Sequence, residues 1–212
     1  MISPRHAFLI LIIALLSFPA EGVAQSMCEV FVFDTDGSFM ASVQEPRLAG
    51  CIVVLQGEGA APLVAHLADP EHDPLAIDSD TVVRIISRED VRSSMATAAV
   101  EISGRYGFFE GCHRLLEESG YGGNLDFSRN GMHDIIENVL YITDSWKEGV
   151  VAHNNYNYGN FLWGAAAREL GVPLLVALLG SHFNNFFLSP DLGHFDSRDD
   201  QLSIRAGYHW RH

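Results

Sequence analysis

The sequence predicts an α+β fold, a small β-rich N-terminal part followed by a mainly α-helical domain. Short runs of β-branched and aromatic residues bounded by turn residues stand before residue 86, whereas apolar residues recur at three- and four-residue spacing after Ser87. With 48% apolar residues among 212, the chain can bury a sizeable core, which excludes a disordered acidic tail. Its length suits one domain, or one domain with a small extension.

Residues 1–24 read as a secretory signal peptide. Arg5 and His6 form a short polar start, Phe8 to Phe18 is an apolar run that contains only Ser17 as a polar residue, and Gly22-Val23-Ala24 offers a small-residue cleavage site. That run is too short for a bilayer-spanning helix, which needs roughly 20 residues, so no stable membrane insertion is expected after cleavage. Removing the leader deletes one cation, Arg5, and one anion, Glu21, so the formal charge stays at −14. An excess of that size repels polyphosphates and disfavours general nucleic-acid binding. Export would place Cys28, Cys51 and Cys112 in an oxidising compartment. Cys28–Cys51 is the preferred pair, with Cys112 buried on a helix; the alternative is that all three are merely small apolar residues.

Residues 25–86 form the β-rich part. Glu29-Val-Phe-Val-Phe33, Cys51-Ile-Val-Val-Leu55 and Val82-Val-Arg-Ile-Ile86 are the candidate strands, and Asp69-Pro70 to Pro74 is a polar loop. Residues 87–212 form the helical part. Ser87 and Asp90 make a capping-box signal, followed by Val91, Met95, Ala98 and Ile102 at helical spacing. Phe108 to Leu116 mark a second helix, Met132, Ile135, Ile136, Val139 and Leu140 a third, and Phe161 to Leu170 a fourth that ends at Gly171 and Pro173. Leu174 to Leu179 is apolar on all sides and should be a buried fifth. A short helical pattern reaches Gly207, and His209 to His212 read as an exposed tail.

Three polar clusters could carry chemistry. His153-Asn-Asn-Tyr-Asn-Tyr-Gly-Asn160 gathers seven hydrogen-bonding side chains and a glycine ahead of the fourth helix, where unpaired N–H groups are also expected. The bland reading is an Asn-rich loop that satisfies itself. His194-Phe-Asp196-Ser-Arg-Asp199-Asp200-Gln201 precedes the last helical pattern, where a structural N-cap competes with acid–base or metal-binding roles. Its spacing does not match a calcium EF-hand. Gly122-Gly-Asn-Leu-Asp126 is by itself a turn. His133 and Glu137 share a helix face but read as a solvated pair. No metal site is assigned, and no cofactor is required by these residues.

Taken in order, these clusters resemble the bacterial toxin 44 (polymorphic toxin type 44) family from about Ser87 to Trp210. The matching segments are Met95-Ala96, Gly122-Gly123-Asn124-Leu125-Asp126, Tyr158-Gly159-Asn160-Phe161-Leu162-Trp163-Gly164, Leu170-Gly171, and Asp196-Ser-Arg-Asp-Asp200-Gln201-Leu-Ser-Ile204-Arg-Ala-Gly207. Asn124-Leu125 replaces the family's Pro-Trp, Trp163 replaces a Tyr, and Ser128-Arg129 stands where the family tends to place a lysine. The resemblance implies secretion and antibacterial use; an immunity protein as partner stays open.

The expected function is a secreted or periplasmic toxin-like hydrolase acting on an envelope polymer such as peptidoglycan by carboxylate acid–base catalysis. Asp126, Asn160, Asp196, Asp200 and His153 are the candidate catalytic residues, with Asn155, Tyr158, Gly159, Trp163 and Gln201 as candidate substrate-binding residues. A ribonuclease toxin using His153 and Arg198 is one alternative, and a non-catalytic periplasmic binding or adaptor protein another. Val32-Phe-Asp34-Thr-Asp36-Gly37-Ser38 looks like the nucleophile motif of haloacid-dehalogenase-type phosphatases, but a hairpin turned at Asp36-Gly37 explains it more simply.

Overall fold

The computed structural model describes residues 28–45, 51–56, 60–68, 77–98, 108–119, 125, 127, 138–187 and 197–210. The leader, the loop from Asp69 to Pro74, His133, Glu137 and His194 lie outside the described residues.

The architecture is α+β, as the composition of the runs predicts. Seven strands form one mixed sheet: β1 (Cys28–Phe33), β2 (Phe39–Glu45), β3 (Cys51–Val54), β4 (Leu63–Leu67), β5 (Val82–Ile85), β6 (Val139–Ser145) and β7 (Gly149–His153). Their order across the sheet is β2-β1-β3-β4-β7-β6-β5. β4 runs parallel to β7 and β5 parallel to β6, so strands from either side of residue 86 share one ladder.

The sheet curls back on itself. Asp34 Oδ1 accepts from the Asp36 and Ser38 N–H groups, and Gly37 takes a φ of 80°, which turns the β1–β2 hairpin. The phosphatase-like motif is therefore this turn. Ser38 bridges Val82 on the far edge strand, and the Val83 N–H donates to the Gly37 carbonyl at 2.7 Å. A Cβ on Gly37 would overlap that strand's Val83 carbonyl, so both its conformation and its clearance require glycine. Phe33, Ile52, Val54, Ala65, Val83, Leu140, Ile142 and Ala152 pack together inside the curl. Cys28 and Cys51 fall on the adjacent strands β1 and β3; their side chains lie outside the described residues. Cys112 is a free, half-buried thiol.

Among the described residues five helices complete the fold: α1 (Arg88–Ala98), α2 (Phe108–Glu118), α3 (Asn155–Glu169), α4 (Leu174–Phe187) and α5 (Arg198–Tyr208). The Ser87–Asp90 capping box forms as expected, with Asp90 Oδ2 accepting from the Ser87 N–H at 2.9 Å. α3 is the hub. Phe161, Leu162, Ala165, Ala166 and Ala167 are buried, and they share a core with Tyr141 and Val151 on the outer face of β6 and β7. Each large side chain buried there contributes about 1.5–3 kcal/mol.

The structure corrects several sequence expectations. Val139 and Leu140 belong to β6, not to a third helix. That strand is buried on both faces, so its continuous apolar run mimics helical spacing. The fourth predicted helix begins at Asn155, because Asn154 caps it by accepting from the Asn157 N–H; the polar cluster is thus helical rather than a preceding loop. α4 is not buried on all sides, since Leu175 and Leu179 are exposed. Of the predicted exposed tail, His209 and Trp210 are instead buried, with the Ser145 hydroxyl and the Trp146 N–H donating to the His209 carbonyl, while Arg211 and His212 lie outside the described residues. Among the described residues no helix is long and apolar enough to cross a membrane.

Candidate functional site

α3 and α5 carry most of the described candidate residues, and the two helices pack against each other with their N-terminal ends together. Asn160 meets Asp200, Gly164 abuts Ile204, and the Arg168 guanidinium reaches the Tyr208 carbonyl at 3.3 Å. These contacts advance by four residues on each helix, the repeat of one helical ridge. Two glycines permit this approach. A Cβ on Gly164 would overlap the Ile204 carbonyl oxygen, and one on Gly207 the Phe161 carbonyl oxygen. The polar segments around Asn160 and Asp200, 40 residues apart in the chain, are therefore the two sides of one helix–helix seam.

Because their N-termini lie together, their positive dipole ends add. α5 opens with a capping box. Ser197 is the N-cap, its side chain accepting from the Asp200 N–H, and Asp200 Oδ2 accepts from the Ser197 N–H at 3.0 Å and the Ser197 hydroxyl at 2.6 Å. Neither Asp199 nor Asp200 is itself the cap. Asp200 Oδ1 accepts from Asn160 Nδ2 at 2.6 Å, so this carboxylate ties its own helix start to α3.

Deeper in the junction, Asn157 Nδ2 donates to Asp199 Oδ2 at 2.9 Å. Burial works against the Asp199 charge, but Ser197, Asn157 and the first-turn N–H groups of Asp199 and Asp200 more than offset it, and the pKa lies below the ordinary carboxylate value. Asp199 is thus held as an anion. Its Oδ1, and Oδ1 of Asn157, are buried with no hydrogen-bond partner.

The remaining candidates separate. His153 is fully buried, 2.9 Å from Thr143 Oγ1 through Nε2 and 2.9 Å from Ser203 Oγ through Nδ1. Desolvation lowers its pKa to about 3, so it is neutral, with both ring nitrogens engaged and no route to a substrate. This corrects its assignment as a catalytic residue; it is a core histidine joining β6, β7 and α5. Tyr158 is buried too, stacked on Tyr141 at 4.4 Å, and burial pushes its pKa up. Gly159 and Asn155 are buried on the same turn. None of these three presents an open binding face.

Trp163 Nε1 donates to the Ser119 hydroxyl at 2.7 Å, tying α3 to the end of α2. Gln201 Nε2 donates to the Ser181 hydroxyl of α4 at 2.8 Å. Both are half-buried, as are Asn160 and Asp200. Asp126 and Asp196 lie outside the described residues. Leu125 and Phe127, which flank Asp126 in sequence, are buried in the core that contains Phe161 and Leu162.

The structure adds Tyr156, Asn157 and Asp199 to the site. Tyr156 is 71% exposed on the first turn of α3, and four residues on, on the same face, stands Asn160. The two polar clusters already contain these residues, but only their pairing across the seam singles them out. Among the described residues there is no group of three metal-ligating side chains.

No protein-family model, curated protein or solved structure matches the chain.

Proposed function

We propose that the chain is an exported, toxin-like hydrolase that acts on a cell-envelope polymer such as peptidoglycan, with its site at the joined N-termini of α3 and α5. The observation that carries this reading is the 2.6 Å bond between Asn160 and Asp200, which brings the two most specific motif segments to one half-buried spot. The leader-like N-terminus supports delivery to the periplasm or beyond, and the charge of −14 favours a substrate other than a polyphosphate. Asp200 serves as the base or charge-stabilising carboxylate, oriented by Asn160 and Ser197. Asp199, held ionised, is not the acid; that role falls to Asp126 or Asp196. The ribonuclease alternative loses its histidine to the core.

The test is release of soluble fragments from purified sacculi by the mature protein, with RNA as the control substrate. Asp200→Asn, and one of Asp126→Asn and Asp196→Asn, should each reduce release at least 100-fold, an effect of the size expected for losing an acid or base. The Asp200 change should lower stability by only about 1 kcal/mol, because Ser197 still caps the helix. Full activity of Asp200→Asn, full activity of both Asp126→Asn and Asp196→Asn, or cleavage of RNA instead, would overturn the assignment.

A second reading has its own support. Asp200 already accepts three hydrogen bonds, an arrangement that also suits a purely structural connector. Sacculus binding without fragment release would favour that non-catalytic role.

A further inference from the structure

We propose that the junction of α3 and α5 recognises a neutral polyhydroxylated ligand, a saccharide, rather than an anionic peptide, with Tyr156 as the stacking platform and Asn157, Asn160, Asp199 and Asp200 as the polar groups. The proposal rests on the envelope-polymer reading and specifies which part of such a polymer is held.

The unsatisfied groups set the chemistry. Asn157 and Asp199 are 2% and 9% exposed, they are bonded to each other through Nδ2 and Oδ2, and the Oδ1 atom of each has no partner. Buried acceptors left unmatched are destabilising, so an occupant that supplies donors there is favoured. A hydroxyl, or a water it holds, meets that need.

Charge narrows the class. The paired helix ends would attract an anion on their own, but Asp199 and Asp200 stand in that position, on a chain of net charge −14. A carboxylate-bearing stem peptide would meet two carboxylates; a saccharide hydroxyl would meet two acceptors. Tyr156 supplies the remaining element, an aromatic face open to solvent one helical turn before Asn160, against which the C–H face of a sugar ring can pack.

The experiment is titration of the isotopically labelled mature protein with chitotetraose, and separately with an L-Ala-D-Glu-containing stem tripeptide, followed by amide chemical shifts. Chitotetraose should perturb residues 154–160 and 197–201, and the tripeptide should not. Tyr156→Ala, an exposed position whose loss leaves the core intact, should weaken chitotetraose binding about tenfold. Asp199→Asn should weaken it further and, being buried, is to be read only alongside an unchanged fold in the same spectra. Absence of perturbation at millimolar chitotetraose, perturbation elsewhere, indifference to Tyr156→Ala, or tighter binding of the tripeptide would each overturn the proposal. Fragment release from sacculi without chitotetraose binding would sink this inference and spare the hydrolase reading; binding without release would do the reverse.

Discussion

His153 shows how one residue can read as catalytic in a sequence and prove structural in a fold. It stands in the densest polar cluster, yet its ring lies between Thr143, Ser203 and Phe161 with no exposed surface. Its folded pKa of about 3 against an ordinary value of 6.5 has a consequence for acid stability. Below about pH 6.5 the unfolded chain takes up a proton that the folded chain refuses, so folding loses about 1.4 kcal/mol per pH unit from this group until the pH approaches its folded pKa. Stability present at pH 7 should therefore fall as pH drops to 4. Urea titrations of wild type and His153→Gln at the two pH values would check this. The variant should be weaker at pH 7, where a packed hydrogen bond is lost, but should show a shallower decline toward pH 4. Equal slopes would contradict the buried, neutral assignment.

At the scale of elements, the α3–α5 seam explains why the motif segments have their composition. Asn157 pairs with Asp199 and Asn160 with Asp200, while Gly164 and Gly207 each sit against the other helix's backbone. Small residues set the interaxial distance, and the polar pairs set the register. Gly164→Ala and Gly207→Ala should each destabilise the protein by about 1–3 kcal/mol despite the better helix propensity of alanine, because the obstructing atoms are backbone and cannot rotate away. Thermal denaturation would show a lower Tm for both, and a neutral or raised Tm for either would mean that the helices separate at no cost. One helix start was legible beforehand, because Ser87 with Asp90 forms its capping box, whereas α3 begins six residues ahead of the predicted Phe161 and α5 is capped by Ser197 rather than by an aspartate. The strands β6 and β7 were not legible, because a strand covered on both faces lacks the alternation that distinguishes it from a helix.

At the scale of the whole molecule, the division at residue 86 is a change in sequence period and not a break in the sheet. β6 and β7, which follow it, pair with β5 and β4, which precede it, and the core inside the curl takes Val83 and Ala65 from one side and Leu140 and Ala152 from the other. A fragment of residues 87–212 should consequently fail to fold, since it would expose both edges of the β6–β7 pair and one half of that core. Far-ultraviolet circular dichroism and proteolysis of the fragment would decide it; cooperative unfolding like that of the full chain would refute the shared-sheet account. The sequence by itself determined the α+β class, the strands β1, β3 and β5, the hairpin at Asp36-Gly37 and the capping box at Ser87 and Asp90, because each follows from the chemistry of residues within a few positions of one another. Tertiary structure alone decided which polar residues meet. Asn157 with Asp199 and Asn160 with Asp200 are pairs about forty residues apart, joined only because two glycines let the two helices approach, and the burial of His153 depends on a sheet and a helix closing over it from opposite ends of the chain's second half.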